Sequence, residues 1–312
     1  MSRTNFDSLL DAGVHFGHLR RKWNPAMAPY IFMERNGIHI IDLYKTMAKI
    51  DEAAAALKQI AKSGKKVLFV ATKKQAKEIV SEHVRRVNMP YVTERWPGGM
   101  LTNFATIRKA VRKMISIDKL MASPSYANLS KKERLTLTRE RAKLEKNLGS
   151  IADLNRLPAA VFIVDILKEH IALAEAKKLN IPTFAIVDTN SDPRTVDFPI
   201  PANDDASKSI SLIVDTMIRA MEEGLVERKL DRDKKAADDE RGEGEEGEFG
   251  LHSKMMDDME EEEVDEDGIK IVKKDFVDTK VSKMKGMEPT PEDKAKPARK
   301  RISKPAGRST KK

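Results

Sequence analysis

The chain has 312 residues, no cysteine and a formal net charge of +9. Its length allows one large domain or two ordinary ones, and without cysteine it can use neither disulfides nor thiolate chemistry. No stretch approaches the ~18 consecutive apolar residues of a membrane span, and no apolar run near the start resembles a secretory signal. We therefore expect a cytoplasmic protein that does not act on a membrane, and its positive charge favours polyanionic partners.

Charge is distributed unevenly along the chain. Residues 238–267 carry sixteen acidic and two basic side chains, net −14, whereas residues 268–312 carry fifteen basic and five acidic ones, net +10. Residues 1–237 therefore carry +13. The hydrophobic pattern ends near residue 230, and segments this polar bury too little apolar surface to offset the entropy of ordering. The sequence predicts that residues 231–312 form a disordered tail, first acidic and then basic.

Short apolar runs alternate with helical patterns before that point. Arg35-Asn36-Gly37 lies between two apolar runs and predicts a β-hairpin. Buried strands are predicted at 67–70, 161–164 and 184–187. Helices are predicted at 49–61, 169–179 and 207–225, and a further helix begins at a capping box at 72–75. Strands that are apolar on both faces and separated by helices indicate a parallel sheet covered on both sides. The predicted α/β domain comprises residues 1–103 and 158–230.

An insertion at residues 104–157 interrupts this alternation. Apolar residues recur at helical spacing from Ile107, Ser123-Pro124-Ser125 ends that helix, and a capping box at Ser130 opens a second one. Two helices joined by a turn predict an antiparallel helical hairpin. Residues 104–158 carry thirteen basic and five acidic side chains. A net charge of +8 on a projecting arm favours contact with phosphates over a merely solvated face. The candidate RNA contacts on this arm are Arg108, Lys109, Arg112 and Lys113.

Two loops combine cations with an aromatic ring. Arg20-Arg21-Lys22 precedes Trp23, and Arg95 precedes Trp96. Cations contact phosphates and aromatic rings stack on bases, so both loops are candidate RNA contacts. Gly98-Gly99, just after the second loop, could hold an anion or could simply form a tight turn.

A nucleotide-binding enzyme is the main alternative. The strand at 67–70 leads into a helix, which is where nucleotide-binding folds hold phosphate. However, the connecting loop Ala71-Thr72-Lys73-Lys74 has no glycine for close approach to a pyrophosphate. None of the six histidines lies in a recognisable catalytic set. The sequence therefore favours a protein without catalytic activity or a small-molecule substrate, and a protein-interaction scaffold remains compatible with RNA binding.

A few polar side chains could bind a metal. His18 follows a glycine-rich stretch, Asp188 ends a predicted strand, and Asp204 and Asp205 precede the last predicted helix. Carboxylates at strand ends lie where α/β folds gather ligands, and a mixed His/Asp set could hold a structural zinc. The same residues could equally serve as turn formers and helix caps. Zinc bound by His18, Asp188, Asp204 and Asp205 is therefore a hypothesis, and no cofactor is required.

Several long motifs in order along the chain resemble the bacterial small-subunit ribosomal protein S-two family. The similarity covers about residues 6–224. Its motifs are Ala12-Gly13-Val14-His15-Phe16-Gly17-His18, Trp23-Asn24-Pro25, Glu34-Arg35-Asn36-Gly37 with His39-Ile40-Ile41-Asp42-Leu43, Phe69-Val70 with Thr72-Lys73, Arg95-Trp96, Gly98-Gly99-Met100-Leu101-Thr102-Asn103, Val187-Asp188-Thr189-Asn190-Ser191-Asp192-Pro193 and Asn203-Asp204-Asp205-Ala206. Pro97 and Ala202 stand where the family usually has leucine and glycine, and the tail is not matched by the family's usual shorter end.

The resemblance implies a fold and partners. It implies a flavodoxin-like or Rossmann-like α/β domain with a protruding coiled-coil hairpin. It implies a structural role in the small ribosomal subunit, bound to ribosomal RNA and to other small-subunit proteins. Among those proteins it implies contact with the messenger-binding ribosomal protein S-one, where that protein is present.

Overall fold

The computed structural model describes the backbone of residues 3–257 and begins with a small antiparallel sheet. Helix α1 (Phe6–Asp11) precedes β1 (Phe16–Leu19), β2 (Ile31–Arg35) and β3 (Ile38–Ile41), which lie in the order β1-β3-β2. Asn36 and Gly37, between β2 and β3, have φ angles of 54° and 74°, the left-handed conformation that a tight hairpin turn requires. The predicted β-hairpin is confirmed.

Five parallel strands form the main sheet. They are β4 (Val67–Val70), β5 (Tyr91–Val92), β6 (Ala160–Val164), β7 (Thr183–Val187) and β8 (Phe198–Pro201). Their spatial order is β5-β4-β6-β7-β8, which is the 2-1-3-4-5 order of flavodoxin-like folds. The predicted α/β class with a parallel sheet is confirmed. The strands at 67–70, 161–164 and 184–187 are β4, β6 and β7, and the sequence analysis missed β5 and β8.

Helices cover both faces of this sheet. They are α2 (Leu43–Lys62), α3 (Lys74–Arg86), α4 (Phe104–Ala122), α5 (Lys131–Leu148), α6 (His170–Lys178) and α7 (Ser207–Asp257). One face packs against α2, α3 and α7 through residues such as Ile50, Val80 and Met217. The other packs against α6 and the base of α4 and α5 through Ala172, Val111 and Leu148. The central strands are buried on both sides for this reason, and their polar ends are left to form sites.

Helices α4 and α5 pack against each other. Helix α4 buries a single stripe of apolar residues, namely Ile107, Val111, Met114 and Ile117. Ser130 caps α5 in a capping box with Glu133, as the spacing predicts. Arg108 near the start of α4 donates to the carbonyl of Leu154 at 3.1 Å, and Asp118 pairs with Arg141 at 2.7 Å. Helix α5 therefore runs back along α4.

Two helix ends differ from the sequence-based expectation. Lys73, not Thr72, is the N-cap of α3, and its side chain makes no capping hydrogen bond. The Thr72 hydroxyl instead donates to Glu169, so the predicted capping box at 72–75 is wrong. Helix α7 begins at Ser207 as predicted but continues to Asp257, beyond the predicted end at 225.

The chain divides into two units, residues 1–250 and 251–312. In the second unit the structure describes residues 251–257, which are helical. Most of the predicted tail, residues 258–312, lies outside the described residues, and its disorder stays a prediction. Within residues 3–257, no helix combines the length and apolarity needed to cross a bilayer.

Candidate nucleic-acid interface and carboxylate cluster

The first basic loop is held in place at both ends. Arg20–Lys22 forms a turn of 3-10 helix directly after β1, and its three side chains are exposed. The N–H of Arg20 donates to the carbonyl of Gly37 at 2.9 Å, and the N–H of Asn24 donates to the carbonyl of Thr189 at 2.7 Å. The loop therefore presents three cations from a fixed backbone.

Trp23 lies beside these cations in an open cleft. Its side chain is 36% exposed, and its ring lies 5.0 Å from the ring of His39. The cleft, of about 770 Å³, is lined by Leu19, Arg20, Arg21, Trp23, Pro25 and Gly37. A partly exposed aromatic ring flanked by guanidinium groups can stack on a nucleotide base while the cations contact its phosphates.

The second basic loop is folded around a buried carboxylate. Glu175 of α6 accepts hydrogen bonds from the backbone N–H groups of Gly99 at 2.7 Å, Leu101 at 2.9 Å and Thr102 at 3.2 Å. The Thr102 hydroxyl and the Trp96 indole N–H also donate to it. Gly98-Gly99 thus belongs to a turn that does hold an anion, and this anion is a side chain of the protein itself.

Burial and hydrogen bonding oppose each other at Glu175. Burial alone would raise the pKa of its carboxyl group, but the N–H groups of Leu101, Gly99 and Thr102 outweigh burial and hold the pKa below its ordinary value. Several N–H groups that converge on one anion form a compact binding site for negative charge. The carboxylate therefore remains ionised and fixes the loop.

Trp96 packs differently from Trp23. It is only 8% exposed, it packs in the core beside Met100 and Leu101, and its indole N–H donates to Glu175. A ring enclosed in this way offers little surface to stack on a base, so its burial does not support the predicted RNA contact of Trp96. Arg95, by contrast, is exposed, and among the described residues no carboxylate lies within ion-pair distance of it.

The four hairpin cations fall into two pairs. Lys109 and Arg112 are exposed and form no ion pair with any residue in the described part of the chain. Lys113 is paired with Glu140 of α5, and Arg108 is partly buried against the carbonyls of Ala152 and Leu154. The first two cations are available to a polyanion, whereas the other two also hold the hairpin together.

A lysine occupies the position where a nucleotide-binding fold would hold phosphate. Lys73 follows β4, and its ammonium group lies 2.8 Å from Asp204, 2.6 Å from Asp205 and 3.4 Å from Asp165. Burial would lower the pKa of Lys73, but its hydrogen bonds to Asp204 and Asp205 raise the pKa above its ordinary value. The carboxyl end of β4 is therefore occupied by an internal cation surrounded by carboxylates, which repel phosphate.

Three of the four predicted metal ligands lie together. One ligand atom from each of His18, Asp188 and Asp204 lies within 4.8 Å of the others. Nδ1 of His18 is 3.0 Å from Asp188, which raises the pKa of the imidazole. Asp205 lies outside this group because its carboxylate is half exposed and pairs with Lys73, although it is 3.5 Å from Nε2 of His18.

Asp204 is the most deeply buried member of this cluster. Burial, together with the charges of Asp188 and Asp165, raises the pKa of its carboxyl group to about 7, and Lys73 offsets this only in part. Oδ1 of Asp204 accepts a hydrogen bond from Lys73, whereas Oδ2 is buried and has no hydrogen-bond partner. Buried oxygens without a partner are rare in folded proteins, and a water molecule, a cation or the proton of the carboxyl group can satisfy one.

Sequence analysis missed the groups that organise these sites. The sequence places Lys73 in the predicted capping box and in a loop without glycine, and it predicts no site role for Asp165, Glu169 or Glu175. The one available signal was a glutamate on the apolar face of a short helix. Glu175 is such a residue, flanked by the buried Leu173 and Ala176.

Comparisons with known proteins agree on one family. The family model described as Ribosomal protein S2 matches residues 9–224. The chain is 72% identical over 232 residues to the protein named "Small ribosomal subunit protein uS2" of Phocaeicola vulgatus, which covers 74% of this chain and 83% of that protein. The protein of the same name from Porphyromonas gingivalis is 68% identical, over 74% of this chain and 83% of its own length. That from Flavobacterium johnsoniae is also 68% identical, over 74% of this chain and 91% of its own length.

Proposed function

The chain belongs to the ribosomal protein S2 family, and from this membership we propose how it attaches to ribosomal RNA and to its neighbours. It is a structural constituent of the small subunit of the cytoplasmic ribosome, and it is not an enzyme. The family requires no cofactor.

The proposed RNA contacts are six exposed cations and the partly exposed ring of Trp23. Of these cations, only Arg20 forms an ion pair with a described residue, Glu34 at 3.6 Å. Arg20, Arg21, Lys22 and Trp23 contact RNA from the first loop, Arg95 contacts it from the second, and Lys109 and Arg112 contact it from the hairpin. The observation that carries this proposal is the exposure of Lys109, Arg112 and Arg95 without an ion pair to any described residue. Each such cation that meets a phosphate releases a counterion, so binding weakens as salt rises.

Helices α4 and α5 act as a coiled-coil arm that reaches RNA. The apolar stripe of α4 faces α5, and Leu137, Leu144 and Leu148 of α5 follow heptad spacing with lower exposure than their neighbours. Arg108 and Lys113 contribute through the same surface, but their contacts with Leu154 and Glu140 also serve the arm itself.

Replacing Lys109 and Arg112 together by alanine tests the role of the arm. We expect association with the small subunit in density gradients to weaken and the dependence of affinity on salt to become shallower, because two phosphate contacts are lost. Thermal unfolding should be unchanged. Lys177 and Lys178, which are exposed at the end of α6, are matched controls for the loss of two charges. Association that survives the hairpin substitutions at elevated salt would mean that the hairpin is not an RNA arm.

Protein partners bind the exposed apolar surface of the antiparallel sheet formed by β1, β2 and β3. Other small-subunit proteins, including the messenger-binding ribosomal protein S-one where it is present, contact this protein there. Phe16, Phe32 and Met33 support the proposal, because they are 48%, 70% and 49% exposed and apolar surface of this kind suits a protein more than phosphate. Phe32→Ala should reduce the protein complement of isolated subunits and leave RNA binding unchanged. An unchanged complement would contradict the proposal.

His18, Asp188 and Asp204 bind a divalent cation, with zinc as the structural metal. Imidazole and carboxylate are zinc ligands, and the unpartnered buried Oδ2 of Asp204 supports a missing cation. A bound cation would displace the proton shared between His18 and Asp188. The affinity for the cation should therefore rise with pH. Metal analysis of the native protein should find zinc, Asp188→Asn should abolish it and Asp192→Asn should not. Native protein without zinc would rule the site out.

A further inference from the structure

The second basic loop, called the Arg95 loop from this point, takes its shape from one side chain of α6, Glu175. Trp96 and the segment 99–102 together offer five donors to the carboxylate of Glu175, three of them backbone N–H groups. A carboxylate has about four acceptor sites, so this one is saturated by the loop. No cation among the described residues forms an ion pair with it.

This arrangement turns the polar backbone of the loop inward. Gly99 has a φ of +84°, a conformation that glycine adopts without strain and that directs its N–H group to Glu175. Met100 and Leu101 are buried by the same turn, whereas Arg95 stays exposed at its start. The turn ends at Asn103, from which α4 begins. Glu175 therefore sets the position of Arg95 relative to the root of the hairpin.

We propose that Glu175 is a positioning residue for RNA binding, an internal anion around which the loop folds so that Arg95 meets a phosphate of ribosomal RNA. The proposal rests on the proposed function, in which Arg95 contacts RNA. Without the negative charge of Glu175, the converging N–H groups lose their acceptor, the loop opens and Arg95 leaves its position. Glu175 itself touches no RNA and acts through Arg95.

The salt dependence of binding separates positioning from general stability. Glu175→Gln keeps the shape of the side chain but removes its charge and one acceptor oxygen. Affinity for small subunits stripped of this protein would be measured between about 50 and about 200 mM salt, a range over which phosphate contacts dominate. Arg95→Ala should lower the slope of log affinity against log salt by about 1. Glu175→Gln should lower it equally, and the double variant should lower it no further.

Glu169→Gln is the matched control. Glu169 is the N-cap of the same helix, is 3% exposed, and accepts hydrogen bonds from Thr72 instead of from the Arg95 loop. It should leave the salt slope unchanged even if it lowers stability. Trp96→Phe is the milder second variant, because it removes one donor to Glu175 and keeps a buried ring. It should change the slope in the same direction by less, which keeps the test usable if Glu175→Gln does not fold.

Each result decides between the two proposals. If Arg95→Ala lowers the slope and neither Glu175→Gln nor Trp96→Phe does, the positioning role is wrong and the RNA contact stands. If Glu175→Gln adds to Arg95→Ala in the double variant, Glu175 acts by another route and the inference is again wrong. If Arg95→Ala leaves the slope unchanged, the proposed contact at Arg95 fails, and the inference fails with it.

Discussion

The ammonium group of Lys73 lies 2.8 Å from Oδ1 of Asp204, and both side chains are largely buried at the end of the parallel sheet. Asp165 and Asp205 also contact this ammonium group. In enzymes with a comparable sheet, ligands bind at the carboxyl ends of the strands near the point where strand order reverses. Here that position is occupied by an ion-pair network that belongs to the fold.

Lys73→Met should destabilise the protein strongly. It would leave Asp204 and its neighbouring carboxylates buried without their cation, and removal of one partner of a buried pair costs ~3–5 kcal/mol. Urea unfolding would measure the loss. Lys77→Met is the control, since the Lys77–Glu94 pair is more exposed and should cost less than ~1 kcal/mol. Equal effects of the two substitutions would argue against a structural role for the Lys73 network.

Mononucleotides should not bind at the carboxyl end of β4. The loop after β4 has no glycine, and Asp165, Asp204 and Asp205 surround the ammonium group of Lys73. Titration of the full chain with ATP in a calorimeter should therefore give no heat of binding. Tight and specific binding would instead revive the nucleotide-binding alternative.

The Arg95 loop should respond to acid through Glu175. The pKa of this carboxyl group is lowered from 4.5 in the folded protein. Its contribution to stability is therefore fully present above about pH 4.5 and is lost as pH falls through the lowered folded pKa. In a Trp23→Phe background, Trp96 is the remaining tryptophan, and its fluorescence should change in that range. Glu175→Gln should remove this pH-dependent change in fluorescence. Circular dichroism at the same pH values shows whether the whole protein unfolds.

Gly224→Ala should destabilise the protein although alanine favours helices. A Cβ atom at Gly224 in α7 would lie 2.4 Å from the carbonyl oxygen of Lys58 in α2. Helix propensity would contribute up to ~1 kcal/mol in favour of alanine, but forced overpacking costs ~1–3 kcal/mol. Gly149→Ala is the matched control. Its φ is −57° and its Cβ would make only ordinary contact, so thermal unfolding should show a gain of ~0.4–1 kcal/mol.

Local sequence predicts the parts of the fold that local chemistry determines. The strands β4, β6 and β7 are apolar on both faces, and the hairpin turn at Asn36-Gly37 has few alternatives. Strand β8 is different, because Pro199 and Pro201 weigh against a strand. Both prolines are tolerated because β8 lies at the edge of the sheet, where an N–H group is dispensable. Strand β5 spans only two residues and gives no periodic signal.

The candidate sites depend on contacts that local sequence cannot specify. Exposed cations such as Arg20 and Arg112 are visible in the sequence as unbalanced charge. Trp96 has the same local pattern as Trp23, but the packing of α6 buries it. Lys73 and Asp204 are separated by 131 residues, and Trp96 and Glu175 by 79. Only the strand order brings such pairs together, so their roles could not be derived from spacing.

The attachment of the first basic loop to Thr189 has a consequence for synthesis. The hydroxyl of Thr189 accepts a hydrogen bond from the N–H of His18, 171 residues earlier, and its carbonyl accepts one from Asn24. A nascent chain is made from its N-terminus, so Arg20–Lys22 emerges long before the residues that fix it. The loop gains its final shape only when nearly all of the α/β domain has been translated. A truncated chain thus carries the charges of this loop without its geometry, which favours assembly from completed copies.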